Sequence, residues 1–257
     1  YEIGSGLVGS EMCIRDRNPI LTYVKHLKGK HMRVIFNEEL KAVADDLDRM
    51  AQDVRKAING AGDALLNQNL EAAQAVIDGD IEIDALESSV IDQCVKLLAK
   101  QNPVATDLRV VVSTLRLAAT FERMGDLARH IAEAARRTYP ASPLPAEAQP
   151  LFAEMQAFLD NVADQVVSML TDRDTKTAEQ IILNDDKLDA LHKKTFELAQ
   201  SEDWKGTNQQ LIDVVLTGRF MERLGDHAVS AARRVVFIVS GFDPSKEPTR
   251  DEGTDID

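Results

Sequence analysis

The chain has 257 residues, a formal net charge of −13, and 44% apolar but only 5% aromatic residues. That length suits one large domain or two modest ones, and that apolar share can form a real core. The acidic balance excludes a global basic footprint for nucleic acid and opposes direct attraction to anionic lipid.

The first residues stand apart. YEIGSGLVGSEMCIRDR has neither a helical period nor a signal-peptide layout. GSEMCIRDR resembles translated sequencing adaptor, and NPILTYVKHLKGKH reads as upstream translation. Residues 1–31 are therefore expected to be non-native, with Met32 the native start. From Phe36 to Leu65 apolar residues follow steps of three and four, predicting an amphipathic helix that ends at Asn67–Asn69. A second helix is predicted over about Leu70–Lys100. Asn102-Pro103 reads as N-cap and first position of a third helix, which runs to about Thr138.

TYPASPLPAEAQP then carries four of the eight prolines and reads as a linker. The plan repeats beyond it. Helices are expected over about Ala146–Leu170, Lys176–Gln200 and Asn208–Val239, with Gly241 as the stop. The tail FDPSKEPTRDEGTDID has no apolar period and is expected to be disordered. Three long helices per half predict an all-α protein of two tandem, similar antiparallel three-helix bundles. The expected domains are 32–139 and 151–241, with a linker over 140–150 and a tail over 242–257.

Setting aside Cys13 in the leader leaves Cys94, which points to a reducing compartment, the cytoplasm. No apolar run approaches the ~18 residues of a membrane-spanning helix.

Acidic pairs carry the chemical signal. Glu122/Asp126 in ERMGD recurs as Glu222/Asp226 in ERLGD, and Asp80/Asp84 recurs as Asp185/Asp189. An internal duplication explains both repeats. One such pair means little, because 43 acids among 257 residues make roughly seven by chance. Four at equivalent places point to a seam between the second and third helices of each half. Carboxylates gathered there repel unless a cation sits among them, and oxygen donors suit a hard or borderline metal ion. Glu87 and His192 extend the two middle-helix triplets by one turn and are tentative further ligands. Gly125 and Gly225 allow close approach of either a neighbouring helix or a metal-bound oxygen. Arg123 and Arg223 lie just off the acidic faces, where they can pair with acids elsewhere, such as Asp107. His227 points to another face and reads as structural or exposed.

These motifs resemble the PhoU family. NPVATDLRVVVSTLRLAATFERMGDLARHIA and LTGRFMERLGDHAVSAARRVVFIVSG are similar to its two signature regions, and the ends are similar to actinobacterial members. The likeness runs from Met32 to about Gly241. It implies two similar three-helix bundles. It also implies a multinuclear metal cluster, iron or zinc, at Asp80, Asp84, Glu122 and Asp126 in one half. In the other half the ligands would be Asp185, Asp189, Glu222 and Asp226. The implied function is a non-catalytic, negative regulator of phosphate uptake and of the phosphate-starvation response. It would act between the ATPase of a phosphate ABC transporter and a sensor histidine kinase. A homodimer, peripheral to the membrane through its partners only, is the expected state. The alternative reading is a carboxylate-bridged metalloenzyme on a helical bundle. Bundle di-iron sites use a Glu-x-x-His from each of two helices, and only Asp189-x-x-His192 comes near that.

Overall fold

The computed structural model describes the backbone of residues 19–202 and 204–242, and side chains within that span from residue 33 onward. Residues 1–18 of the stretch 1–31 expected to be non-native, and the tail beyond 242, lie outside the described residues. Seven helices and no strands are found among the described residues. They are α1 (Pro19–Asn67), α2 (Leu70–Gln101), α3 (Thr106–Thr138), α4 (Gln149–Asp172), α5 (Thr175–Leu183), α6 (Asp185–Ala199) and α7 (Asn208–Ser240).

Local chemistry sets the ends. Asn69 caps α2 by accepting from the Ala72 N–H at 3.1 Å. Thr207 and Gln210 form a reciprocal capping box at the start of α7. Gly241, at φ 78°, ends α7 as predicted, in the left-handed region that glycine enters without a Cβ penalty. Among the described residues α1 runs back through Met32 to Pro19.

Two boundaries depart from the pattern. Asn102 does not cap α3. It adopts the left-handed conformation (φ 42°, ψ 57°) and ends α2, while α3 begins at Thr106. A residue before proline is pushed out of the right-handed helical region, and asparagine tolerates the left-handed one. The second middle helix is also not continuous. Asn184 breaks it: its N–H reaches the carbonyls of Gln180 (3.2 Å) and Ile181 (3.3 Å), and its Nδ2 donates to Gln180 O at 2.8 Å. A short polar side chain here competes with the backbone for the helical acceptors. The equivalent residue of the first half, Gly79, leaves α2 unbroken.

Helices α1–α3 form one antiparallel bundle and α4–α7 the other. A single apolar cluster runs through both, with Phe121 and Phe152 fully buried. Each such burial contributes about 1.5–3 kcal/mol. The halves are joined along α1–α4 and along α3–α7. In the first contact Gly62 admits the buried Gln156 side chain, which donates to the Ile58 carbonyl at 3.2 Å. In the second, α3 and α7 run antiparallel. Arg137 pairs with Asp213, and the His130 and Phe220 rings lie 5.3 Å apart. α2 then flanks α3, and α5 and α6 flank α7, so each acidic seam lies beside this central pair.

Candidate metal centre

Steric contact between neighbouring helices builds both seams alike. A Cβ on Gly125 would meet Ile83 Cδ1 at 3.0 Å and Asp80 Oδ1 at 3.4 Å. On Gly225 it would meet Leu188 Cδ2 at 2.7 Å and Asp185 Oδ1 at 3.9 Å. The glycines therefore admit an apolar side chain of the middle helix. That draws the helices together and sets an aspartate of one against the acids of the other.

In the first seam Asp80 is buried, and Arg129 reaches across from α3 to meet it. Its Nε lies 2.6 Å from Asp80 Oδ2, an ion contact and not an aligned hydrogen bond. Its Nη2 donates to Asp126 at 2.8 Å, and its Nη1 to Glu133 at 3.1 Å. Arg123 stays on its own helix, 3.4 Å from Glu122 and 3.7 Å from Asp126. It does not reach Asp107, which pairs with Arg33. Burial raises the Asp80 pKa, Arg129 opposes that rise, and Asp84 and Asp126 add to it. Glu122 is raised by burial and by Asp126, Glu87 and Asp84. Asp84 is exposed and Glu87 half-buried. Among the described residues, no three acids or histidines of this half bring ligand atoms within 4.8 Å of one another.

The second seam differs. One oxygen each from Asp189, Glu222 and Asp226 all lie within 4.8 Å of one another. Glu222 is only 9% exposed. Its Oε1 accepts from Arg219, one turn earlier on α7, while its Oε2 is buried without a partner. The Nε2 of His192 is likewise buried and unpartnered. Burial first, then Asp226 and Asp189, raises the Glu222 pKa against Arg219 and Arg223. Burial and Arg219 lower the His192 pKa against Asp189 and Asp226. Asp185 starts α6, where the helix dipole favours an anion. It is raised by burial, Asp189 and Asp226, and opposed by Arg233, but makes no ion pair among the described residues.

A buried carboxylate oxygen with no donor is costly, and a cation repays it. The second seam fits a metal ion on that ground: Asp189, Glu222 and Asp226 would supply oxygens, while the predicted ligands Asp185 and His192 lie outside that group, His192 within electrostatic reach of Asp189 and Asp226. Such an ion would neutralise the clustered carboxylates. The first seam does not fit in the same way, because a guanidinium already holds Asp80 and Asp126. The pattern of acids shows none of this difference, and Arg129 went unnoticed in it. The signal lay in aligning the halves, where Val229 stands at the place of Arg129 and Arg219 at that of Ala119. His227 is half-buried near Arg123 of α3, as well as near Arg223 and Asp226 of its own helix.

A family model described as "PhoU domain" matches residues 47–135 and again 152–235, once in each half. A curated relative from Mycobacterium leprae, "Phosphate-specific transport system accessory protein PhoU homolog 1", is 36% identical over 84% of this chain and 97% of its own length. Homolog 2 of Mycobacterium tuberculosis is 37% identical over 83% of this chain and 100% of its own. The crystal structure of PhoU from Pseudomonas aeruginosa superposes with a TM-score of 0.73 at 26% identity, covering 80% of this chain and 100% of that one. The chain therefore belongs to the PhoU family.

Proposed function

We propose that this protein is a phosphate-signalling adaptor that binds a metal ion in its second acidic seam. It lowers phosphate uptake and the phosphate-starvation response by acting between a phosphate transporter's ATPase and a sensor histidine kinase. It works in the cytoplasm as a homodimer and reaches the membrane through these partners, without nucleic acid. Likeness over the full length of curated proteins named accessory to phosphate transport supports the adaptor role. The observation behind the metal is that Glu222 groups with Asp189 and Asp226 while its own Oε2 is buried without a partner. Oxygen donors beside one imidazole favour iron or zinc over calcium.

The adaptor role is tested by affinity capture from native membranes at high and low phosphate, probed for the transporter ATPase and the sensor kinase. Both are expected, in phosphate-dependent amounts, and recovery of neither would end this reading. The metal is tested by elemental analysis of protein purified without chelator. Less than one metal per chain, with melting unchanged by EDTA, would return the acids to a solvated face. His192 Nε2, one turn beyond Asp189, favours a second reading as a metalloenzyme. Dioxygen turnover or phosphoester hydrolysis that is lost in Glu222→Gln would establish it.

A further inference from the structure

We infer that Arg129 is the resident cation of the first acidic seam and keeps metal out of it, so that this duplicated chain carries metal in its second half alone. This rests on reading the second seam as a metal site. The guanidinium of Arg129 engages three acids, Asp80 at 2.6 Å, Asp126 at 2.8 Å and Glu133 at 3.1 Å. Its side chain is 28% exposed and that of Asp80 10%, so the contact is largely shielded from water. Two of the four acids expected as ligands in this half are thereby committed. A metal ion entering there would bring two positive charges together or eject the arginine and abandon Glu133. Arg123 adds a second positive charge beside Glu122 and Asp126. Glu122 is not left with a buried orphan oxygen as Glu222 is.

The second half contains the converse substitution. Its residue at the place of Arg129 is Val229, buried in the core, which brings no charge to Asp185 or Asp226. Arg233 acts on Asp185 and Arg223 on Glu222 from a distance, but among the described residues the one ion pair to this seam comes from the other side. Arg219 has a side chain that is 53% exposed and holds Glu222 through Oε1, leaving Oε2 buried without a donor in a carboxylate that is grouped with Asp189 and Asp226. One half thus satisfies its buried aspartate with a side chain of its own, and the other leaves a carboxylate oxygen open.

The test counts metal by mass spectrometry on full-length protein purified without chelator and equilibrated with zinc(II), or with iron(II) under exclusion of air. Wild type, Glu122→Gln, Glu222→Gln, Arg129→Val and the double variant Arg129→Val/Glu222→Gln are compared. Melting with and without EDTA is the second readout. Glu122→Gln is expected to retain the wild-type content, and Glu222→Gln to fall to the level of an EDTA-stripped blank and lose its EDTA sensitivity. Arg129→Val is expected to gain metal over wild type, and the double variant to hold metal where Glu222→Gln holds none. A fall in Glu122→Gln, metal retained in Glu222→Gln, or no gain in Arg129→Val would each overturn the inference. Metal on Arg129→Val but not on wild type would sink the metal reading of the second seam and leave the role of Arg129 standing. No metal on either protein would sink both. Should Arg129→Val fail to fold, the two glutamine variants, which keep Arg129, decide the matter.

Discussion

Gly125 and Gly225 play one part in packing, yet the carboxylates beside them are neutralised in different ways. Each glycine admits an apolar side chain of the middle helix, Ile83 or Leu188, at 3.0 and 2.7 Å from where its Cβ would stand. Shape complementarity at a helix crossing tolerates little change, because close-packed neighbours must move together. Charge compensation is less constrained: a long arginine can reach an acid from several directions. The first seam draws on Arg129, one turn after Asp126, and the second on Arg219, one turn before Glu222. A duplication can thus conserve the crossing while the electrostatics diverge. The central α3–α7 contact repeats the lesson. Asp213, 1% exposed, pairs across it with Arg137, while the first-half equivalent is Ser113, buried with no partner for its hydroxyl.

The largest asymmetry is expected at that contact. Arg137→Ala would leave Asp213 a buried charge supported, among the described residues, only by Gln209 at 3.1 Å, at a cost of roughly 3 kcal/mol. Ser113→Ala removes a hydroxyl that has no partner and should shift stability by less than about 0.5 kcal/mol. Equilibrium denaturation in urea separates the two, and equal losses would break the contrast.

Next come the paired glycines. Alanine recovers about 0.5–1 kcal/mol of helix propensity at either place. Against this, overpacking costs about 1–3 kcal/mol and should be worse where the neighbour stands at 2.7 Å than at 3.0 Å. Gly225→Ala is expected to be less stable than Gly125→Ala by about 1 kcal/mol. The reverse order would mean that Leu188 repacks more freely than Ile83.

The smallest effect concerns His227, whose first-half equivalent is Leu127. Burial and then Arg223, with Arg123 behind them, hold its pKa below 6.5, against Asp226. A lowered folded-state value means that the unfolded chain takes up the proton first. Stability present above about pH 6.5 is then lost as pH falls through the folded value. After solvent screening the loss is less than about 1 kcal/mol. Melting of the EDTA-treated protein between pH 7.5 and 5 should therefore fall more for wild type than for His227→Leu. Parallel curves would show that His227 stays solvated.

Much of this protein was legible in its residues. Steps of three and four marked the long helices, and most of the proline-rich stretch 140–150 falls between α3 and α4. The offset of 100 between ERMGD and ERLGD revealed the duplication, because local apolar period and repetition are properties of the chain itself. Gly241 was read correctly as a stop for the same reason. Asn102 was misread and the break at Asn184 was missed because asparagine can cap, end or interrupt a helix, and the acceptors around it decide which. The acids of the two seams were all visible, but not the difference between them. Whether Asp80 meets a guanidinium, or Glu222 keeps an oxygen without a donor, depends on which residues of a neighbouring helix arrive at that depth. Arg129 can meet Asp126 and Glu133 within α3 itself, but it becomes a partner of Asp80 only where α2 and α3 cross. The charge on a residue is written in the sequence, but its compensation is settled by packing.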